Sequence, residues 1–353
     1  MTEGTSLPEE QPHAASPRDS SGVDVDAGVD VDVDVVVIGA GPAGLSAALN
    51  LARSMHSVLI FDANRPRNAA TLSSNGFLSR DGISPLELRK LGLAEIGQYP
   101  DNAFQPAQVD SVRRLSAERF EVTASGLRGS TAQTTVISRR VVLASGLTEV
   151  LPAMPSICHY YGTSLHSCLV CDGYEKRGQA LALIGETSDL AERAMLISRW
   201  SDDLIVFTNG AGTVTRVQEN SLAQRGIRVV RETVVDVVGD RTGMTGVQLS
   251  GSETIARVGG FVRPQYLVNL HYAEALRLAR GPEGFVEVDE YGRTSVPWVY
   301  AAGDLTPPGP KQLIIAAGAG AMVAGGINRD EILGPHSRRA ADATQSTSPS
   351  PRA

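Results

Sequence analysis

Cys168 and Cys171, separated by Leu169 and Val170, are the residues of this sequence best placed to do chemistry. Two thiols at that spacing can close into a disulfide, and their neighbourhood lowers the pKa of one thiolate. His166 stands two residues before the pair and is an acid/base candidate, since an imidazole titrates near neutrality. Asp172 follows the pair at once. Three readings are open. As half of a zinc site, the pair needs two more ligands from Cys158, His159 and His166, whose spacing fits no standard second pair, so no metal is expected. As buried structural thiols it does nothing. As a redox centre it exchanges electrons with another thiol. Three cysteines are too few for a disulfide framework, which points to a reducing compartment and a cytoplasmic location.

A second constellation binds rather than reacts. Asp34–Ile38 reads as a buried parallel strand, Gly39, Gly41 and Gly44 complete G-x-G-x-x-G, and Pro42 to about Arg53 has helical apolar spacing. The first glycine makes the tight turn, the second lets backbone approach a pyrophosphate, and the third permits close helix–strand packing. The helix N-terminus brings the positive end of its dipole to the phosphates. A further strand, Ser57–Phe61, runs into Asp62, at the spacing of a ribose-binding acid. Far along the chain, Thr294–Asp304 reads as a strand ending in Ala-Gly-Asp, and Lys311-Gln312 opens an apolar helix rich in Gly and Ala. Asp304 there can bind ribityl or ribose hydroxyls, and the Gln312 amide with the helix dipole can face an electron-rich ring. The plainer reading of that segment is a strand, a turn and a packing helix.

The strand–turn–helix pattern recurs at Ala180–Ile184 and the turn from Gly185, but the second turn is spoiled. Thr187 puts a β-branched side chain where backbone should meet pyrophosphate. Leu190 obstructs the close helix–strand approach, and Glu186 adds a carboxylate. At ~4 Å and an effective dielectric near 20, that charge repels a phosphate by about 4 kcal/mol, or about three decades of affinity. The next strand, Asp203–Phe207, is followed by no arginine before Arg216, where a 2′-phosphate reader normally stands.

The elements that position these residues follow from the composition. The chain has 353 residues, more than one core usually serves, with 42% hydrophobic and 20% charged residues. Of the net charge of −7, the first 34 residues carry nine acids against Arg18 alone, so the remainder is nearly neutral. No basic stripe suggests a nucleic-acid partner, and no apolar run approaches the ~20 residues that cross a bilayer. The N-terminus lacks the basic and apolar regions of a secretory signal. Repulsion among Asp24, Asp26, Asp30, Asp32 and Asp34 predicts a disordered acidic tail over 1–32, and the Ser/Pro-rich end predicts another over 334–353.

GAGPAGL, the strand VVLASG ending at Gly146, SVPWVYAAGD with its KQ helix, and Cys-x-x-Cys-Asp-Gly ahead of the second turn together resemble the thioredoxin-reductase branch of flavoproteins. The resemblance covers about 33–333. It implies an α/β fold of two Rossmann-like dinucleotide-binding domains, with a discontinuous FAD domain over 33–151 and 264–333. A degenerate NADPH-like domain carrying the pair then spans 152–263. It also implies FAD on Gly39, Gly41, Gly44, Asp62, Gly146, Asp304 and Gln312, although the family commonly has Glu where Asp62 stands. Cys171 then faces the flavin, Cys168 meets the substrate, and Asp172 shuttles protons, with His166 as the second candidate. With the nicotinamide site spoiled, the pattern resembles the FAD-dependent dithiol oxidases that close disulfides in natural products such as holomycin, gliotoxin and romidepsin. The segment from Asn75 (NGFLSRDG) and the FTNG after the second-domain strand share that likeness, although the branch often has His at Asn75 and sometimes at Asp172. A small-molecule dithiol as substrate, dioxygen as acceptor giving hydrogen peroxide, and a homodimer are the implied partners. An NADPH-dependent thioredoxin reductase and a non-catalytic flavin-binding or self-protection module are the alternatives.

Overall fold

The structure, a computed structural model, describes residues 30–335 apart from Gly129, Gly212 and Pro308, so most of the two expected tails lies outside the described residues. At the inner end of the first tail the chain is already anchored. The Asp32 amide donates to Ile137 O at 2.9 Å, and Ile137 N donates to the Asp32 carboxylate at 2.8 Å.

Alternation of apolar residues builds the first sheet. In β1 (Val33–Ile38), Val36 and Ile38 enter one core and Val35 and Val37 the opposite one, as a strand covered on both faces requires. β1 lies parallel to β2 (Val58–Asp62) and to β5 (Gln133–Leu143), with β16 (Val299–Ala301) parallel beyond β5. β3 (Asn102–Arg114) pairs with β2 as far as Pro106, then turns its second half to β4 (Phe120–Gly126), which pairs antiparallel with the first half of β5. Helices α1 (Pro42–Arg53) and α7 (Leu313–Leu333) cover one face of this sheet. Small residues let them touch: a Cβ on Gly320 would lie 2.0 Å from Ala43 O. That contact accounts for Gly320 in a helix rich in Gly and Ala. α2 (Pro85–Ile96), capped by Ser84, packs beside α1.

The second sheet centres on β8 (Leu181–Ile184). It runs β10 (Arg228–Val230), β9 (Leu204–Phe207), β8, β14 (Gly259–Val262), β7 (Leu165–His166), all parallel. Leu181 and Leu183 pack under α5 (Leu190–Ile197) and α6 (Arg216–Ala223). Ala182 and Ile184 pack against an antiparallel layer of β11 (Val234–Asp240) and β12 (Gly243–Leu249), whose edge is β13 (Thr254–Ala256). The chain crosses between the sheets twice, through β6 (Thr148–Val150) and β15 (Gln265–Leu267), which pair as a two-stranded ribbon. Two single-turn helices, α3 (Ile157–Tyr160) and α4 (Leu169–Asp172), follow β6 on either side of β7. The α/β class with two Rossmann-type sheets is as expected, and no helix among the described residues is long and apolar enough to cross a membrane.

One expected element is corrected. Thr294–Asp304 is strand only at Val299–Ala301, because Pro297 has no amide to donate and Trp298 takes a positive φ of 71°. Asp304 itself sits in a 3₁₀ turn, Gly303–Leu305.

A buried ion pair ties this region to α7. Asp330 accepts from Arg293 Nε and a terminal guanidinium nitrogen, both at 2.7 Å, and from the Tyr300 hydroxyl at 2.7 Å. A carboxylate this deep is tolerated only while its donors stay. Asp330→Ala, which strands Arg293 partly paired, is expected to cost about 3–5 kcal/mol. Urea unfolding followed by tryptophan fluorescence reads this directly, and a midpoint equal to wild type contradicts it.

Candidate functional site

The three glycines of the first turn divide the work as their spacing predicts. Gly39 takes φ +110°, and a Cβ there would lie 2.3 Å from Ala144 O. A Cβ on Gly44 would lie 1.9 Å from Gly39 O, so helix and strand pack backbone to backbone. At Gly41 a Cβ would meet nothing within 4 Å. The turn thus keeps an open cradle at the N-terminus of α1, the feature a pyrophosphate requires. Gly39, Gly41, Asp62, Gly146, Asp304 and Gln312 all line one cleft, and Gly44 lies behind it.

Side chains in this cleft do more than the sequence reading assigned. Asp62 accepts from Ala40 N and Asn64 N, both at 2.9 Å, and forms an ion pair with Arg89. It therefore fastens the glycine turn to the end of β2. Gln312 is the residue before α7 and has no side-chain bond to the helix, leaving the helix N-terminus uncapped on the cleft wall. Asp304 Oδ2 accepts from Arg67 at 3.0 Å, and Lys311 Nζ donates to the Asp304 carbonyl at 2.9 Å.

Cys168 and Cys171 are joined as a disulfide. Cys168 caps α4, its Sγ accepting from Cys171 N at 3.2 Å. Both line a second cleft, which shares Arg67, Asn68 and Leu313 with the first. His166 and Asp172, two separate candidates by sequence, are brought together: His166 Nδ1 lies 2.9 Å from Asp172 Oδ1, and Nε2 lies 2.7 Å from Thr163 O. Both partners are acceptors, so the ring donates through both nitrogens only as the imidazolium. Lys176, buried beside them, has its pKa pushed down by burial, against the pull of Asp172 and Glu175. Asn75 Nδ2 donates to Cys171 O at 3.0 Å. Cys158 is exposed and outside the cleft.

The second glycine turn is built otherwise. Its helix α5 begins five residues after Gly185, whereas α1 begins three residues after Gly39. A Cβ on Gly185 would meet Arg263 and Leu190 at 2.8 Å, and Leu190 is wholly buried between helix and sheet. Asp189 stands at the helix start, accepting from Thr187 Oγ1 at 2.5 Å and Arg263 Nε at 2.8 Å. Burial alone would raise its pKa, but the bonds from Thr187 and Arg263 outweigh that and hold it below the usual carboxylate range. Glu186 accepts from Asn209 Nδ2 at 2.7 Å. Two carboxylates thus occupy the turn.

Arg67, Glu149, Tyr161 and Ser167 escaped the sequence reading. Glu149 accepts from Arg67 and from Ser167 Oγ, both at 2.9 Å, and from the Tyr161 hydroxyl. Burial, then Glu149, pushes the Tyr161 hydroxyl pKa well up, so it stays a donor. No motif marks these residues; only the Arg-Pro-Arg run after Asp62 hints at a basic group near the end of β2.

Residues 33–320 match the family described as pyridine nucleotide-disulphide oxidoreductase. A relative named thioredoxin reductase tcpT, from Claviceps purpurea (strain 20.1), is 29% identical over 76% of this chain and 85% of its own. The crystal structure of a putative thioredoxin reductase TrxB from Bacillus anthracis is 36% identical with a TM-score of 0.78, over 85% of this chain and 98% of that one. That of HlmI is 34% identical, also with a TM-score of 0.78, over 89% and 96%.

Gly41 and Gly44 should separate binding from folding. Gly41→Val is expected to keep the melting temperature of the wild-type apoprotein while lowering flavin content at least tenfold, since its side chain fills only the cradle. Gly44→Val should unfold the turn itself. The flavin-to-protein absorbance ratio with thermal melting distinguishes them, and full flavin retention in Gly41→Val refutes the cradle.

Proposed function

This chain belongs to the pyridine nucleotide-disulphide oxidoreductase family, with a thioredoxin-reductase-like fold and FAD as cofactor, and on that basis we propose that it is a dithiol oxidase. Its substrate in this reading is a small-molecule dithiol, of the dithiolopyrrolone (holomycin) class, closed to an intramolecular disulfide in the cytoplasm. One combination carries the proposal. The disulfide-bonded pair adjoins an open dinucleotide cradle, while the second turn is filled by the protein's own carboxylates.

In this reading the Gly39–Gly41 turn holds the pyrophosphate, Asp62 the ribose, Gly146 the strand end beneath the cofactor, and Asp304 with Gln312 the ribityl and ring end. When bound, FAD supplies a two-electron acceptor for the reduced pair, and dioxygen takes those electrons away as hydrogen peroxide.

The residues of the chain do the thiol exchange. A substrate thiolate attacks Cys168 Sγ, the Cys168–Cys171 bond breaks, and Cys171 leaves as thiolate. The second substrate thiol then attacks the substrate sulfur of the mixed disulfide. The cyclic disulfide departs and Cys168 takes the electron pair. Two electrons and two protons have moved from substrate to the pair. His166 and Asp172, hydrogen-bonded on the cleft wall, hold and return the proton for the departing thiolate.

NADPH has no comparable place. The ionised Asp189 sits at the start of α5, where a phosphate would have to go, and Glu186 stands in the same turn. We take the working unit as a homodimer. A groove of about 730 Å³ between α1 and α2, lined by Leu45, Leu49, Leu86 and Leu91, is an apolar face that a second copy would cover.

Two measurements test the proposal. One equivalent of NADPH under anaerobic conditions should leave the flavin absorbance unbleached; rapid bleaching returns the protein to the NADPH-dependent reductases. Cys168→Ser and Cys171→Ser should each abolish dithiol-dependent peroxide formation, with substrate trapped on Cys168 in Cys171→Ser as an adduct visible by mass spectrometry. If both variants keep wild-type peroxide production, the thiol relay is wrong.

A further inference from the structure

The reactive segment is held at both ends by side chains from outside it. Ser167 immediately precedes Cys168, and its hydroxyl donates to Glu149 Oε1 at 2.9 Å. Glu149 belongs to β6, one strand of the ribbon through which the chain crosses between the sheets. Its side chain is 7% exposed and is balanced by Arg67, which reaches it at 2.9 Å while also bonding Asp304. Tyr161 donates to the other carboxylate oxygen and lies 2.9 Å from Ser167 Oγ. From the opposite side, Arg193 donates to the Ser167 carbonyl at 2.7 Å. At the far end of the pair, Asn75 holds the Cys171 carbonyl.

A buried carboxylate needs all its donors, and here two of the three come from the segment that leads to the cysteines. We infer that Glu149 is a positioning residue: through Ser167 it keeps Cys168 within disulfide-forming reach of Cys171, so that the reduced pair stays in place for re-oxidation. The inference rests on the reading of Cys168 and Cys171 as the redox pair. It does not depend on which dithiol is the substrate. Glu149 touches no reacting atom and acts only through Ser167. Without it, the segment bearing Cys168 loosens, and its half-buried thiol becomes more accessible than in the wild type.

Accessibility of that thiol is the readout. The FAD-bound protein is reduced and pulsed with iodoacetamide, and alkylation of Cys168 is compared by peptide mass spectrometry with that of Cys158, the exposed cysteine in the same chain. Glu149→Gln and Ser167→Ala are both expected to raise the Cys168-to-Cys158 ratio by about tenfold, as loss of a charge-assisted hydrogen bond permits. Ser167→Ala leaves the Arg67–Glu149 pair intact, so it serves even if Glu149→Gln does not fold. Ratios at the wild-type value in folded Ser167→Ala overturn the inference, as does a rise in Glu149→Gln alone accompanied by a lowered melting temperature. A wild-type protein that oxidises no dithiol but whose ratio still rises on Ser167→Ala refutes the proposed function and keeps the positioning role.

Discussion

The partly buried guanidinium of Arg67 is the constraint around which the two clefts are organised. It is shared between Asp304, on the wall of the glycine-turn cleft, and Glu149, on the wall of the disulfide cleft. Burial alone would lower its pKa, but the two carboxylates more than compensate and raise it. All three charges are largely shielded from water, so each fixes the position of the others. The 3₁₀ turn Arg67–Ala70 that presents Arg67 is itself pressed against the segment leading to the cysteines: a Cβ on Gly162, at φ +86°, would lie 2.1 Å from Ala70 O. Cofactor wall, ribbon and reactive segment therefore form one electrostatically closed unit.

The two strand–turn–helix units show how little separates a binding turn from a closed one. Both have a buried four- to six-residue strand and a following helix, and both keep the first glycine. In the first, the helix starts early, its N-terminus has no side-chain cap, and the space at Gly41 is empty. In the second, the helix starts later and Asp189 brings a negative charge to its N-terminus, fastened there by Thr187 and Arg263. Asp189 makes no side-chain bond to the helix amides, but its charge lies at the helix N-terminus and is paired there with Arg263. The second sheet keeps its fold because Leu190, the residue that spoils the fingerprint, is also a core residue.

Pairing of His166 with Asp172 changes the acid/base picture from a choice into a unit. A lone imidazole or carboxyl beside a thiol pair would rotate and solvate freely. Here the carboxylate orients the ring through Nδ1, and Thr163 O holds the other nitrogen. The buried Lys176, donating to the same carbonyl at 3.3 Å, adds positive charge to the patch.

What the sequence determined by itself was local or periodic. The strand–turn–helix of Gly39, Gly41 and Gly44 was legible because each glycine answers a constraint set by its immediate neighbours, and α1 was legible from apolar spacing. The departure of the second turn from the first, with Leu190 packed between helix and sheet, was legible for the same reason, and so were the Cys168–Cys171 spacing and the α/β class. The long strand read into Thr294–Asp304 failed because Trp298 takes a left-handed backbone that no propensity announces. The tertiary structure alone decided which distant charges meet. Arg67 finds Asp304 after 237 residues and Glu149 after 82, and Arg293 finds Asp330 after 37. Pairing of buried charges depends on where strands end in space, and no spacing along the chain encodes that.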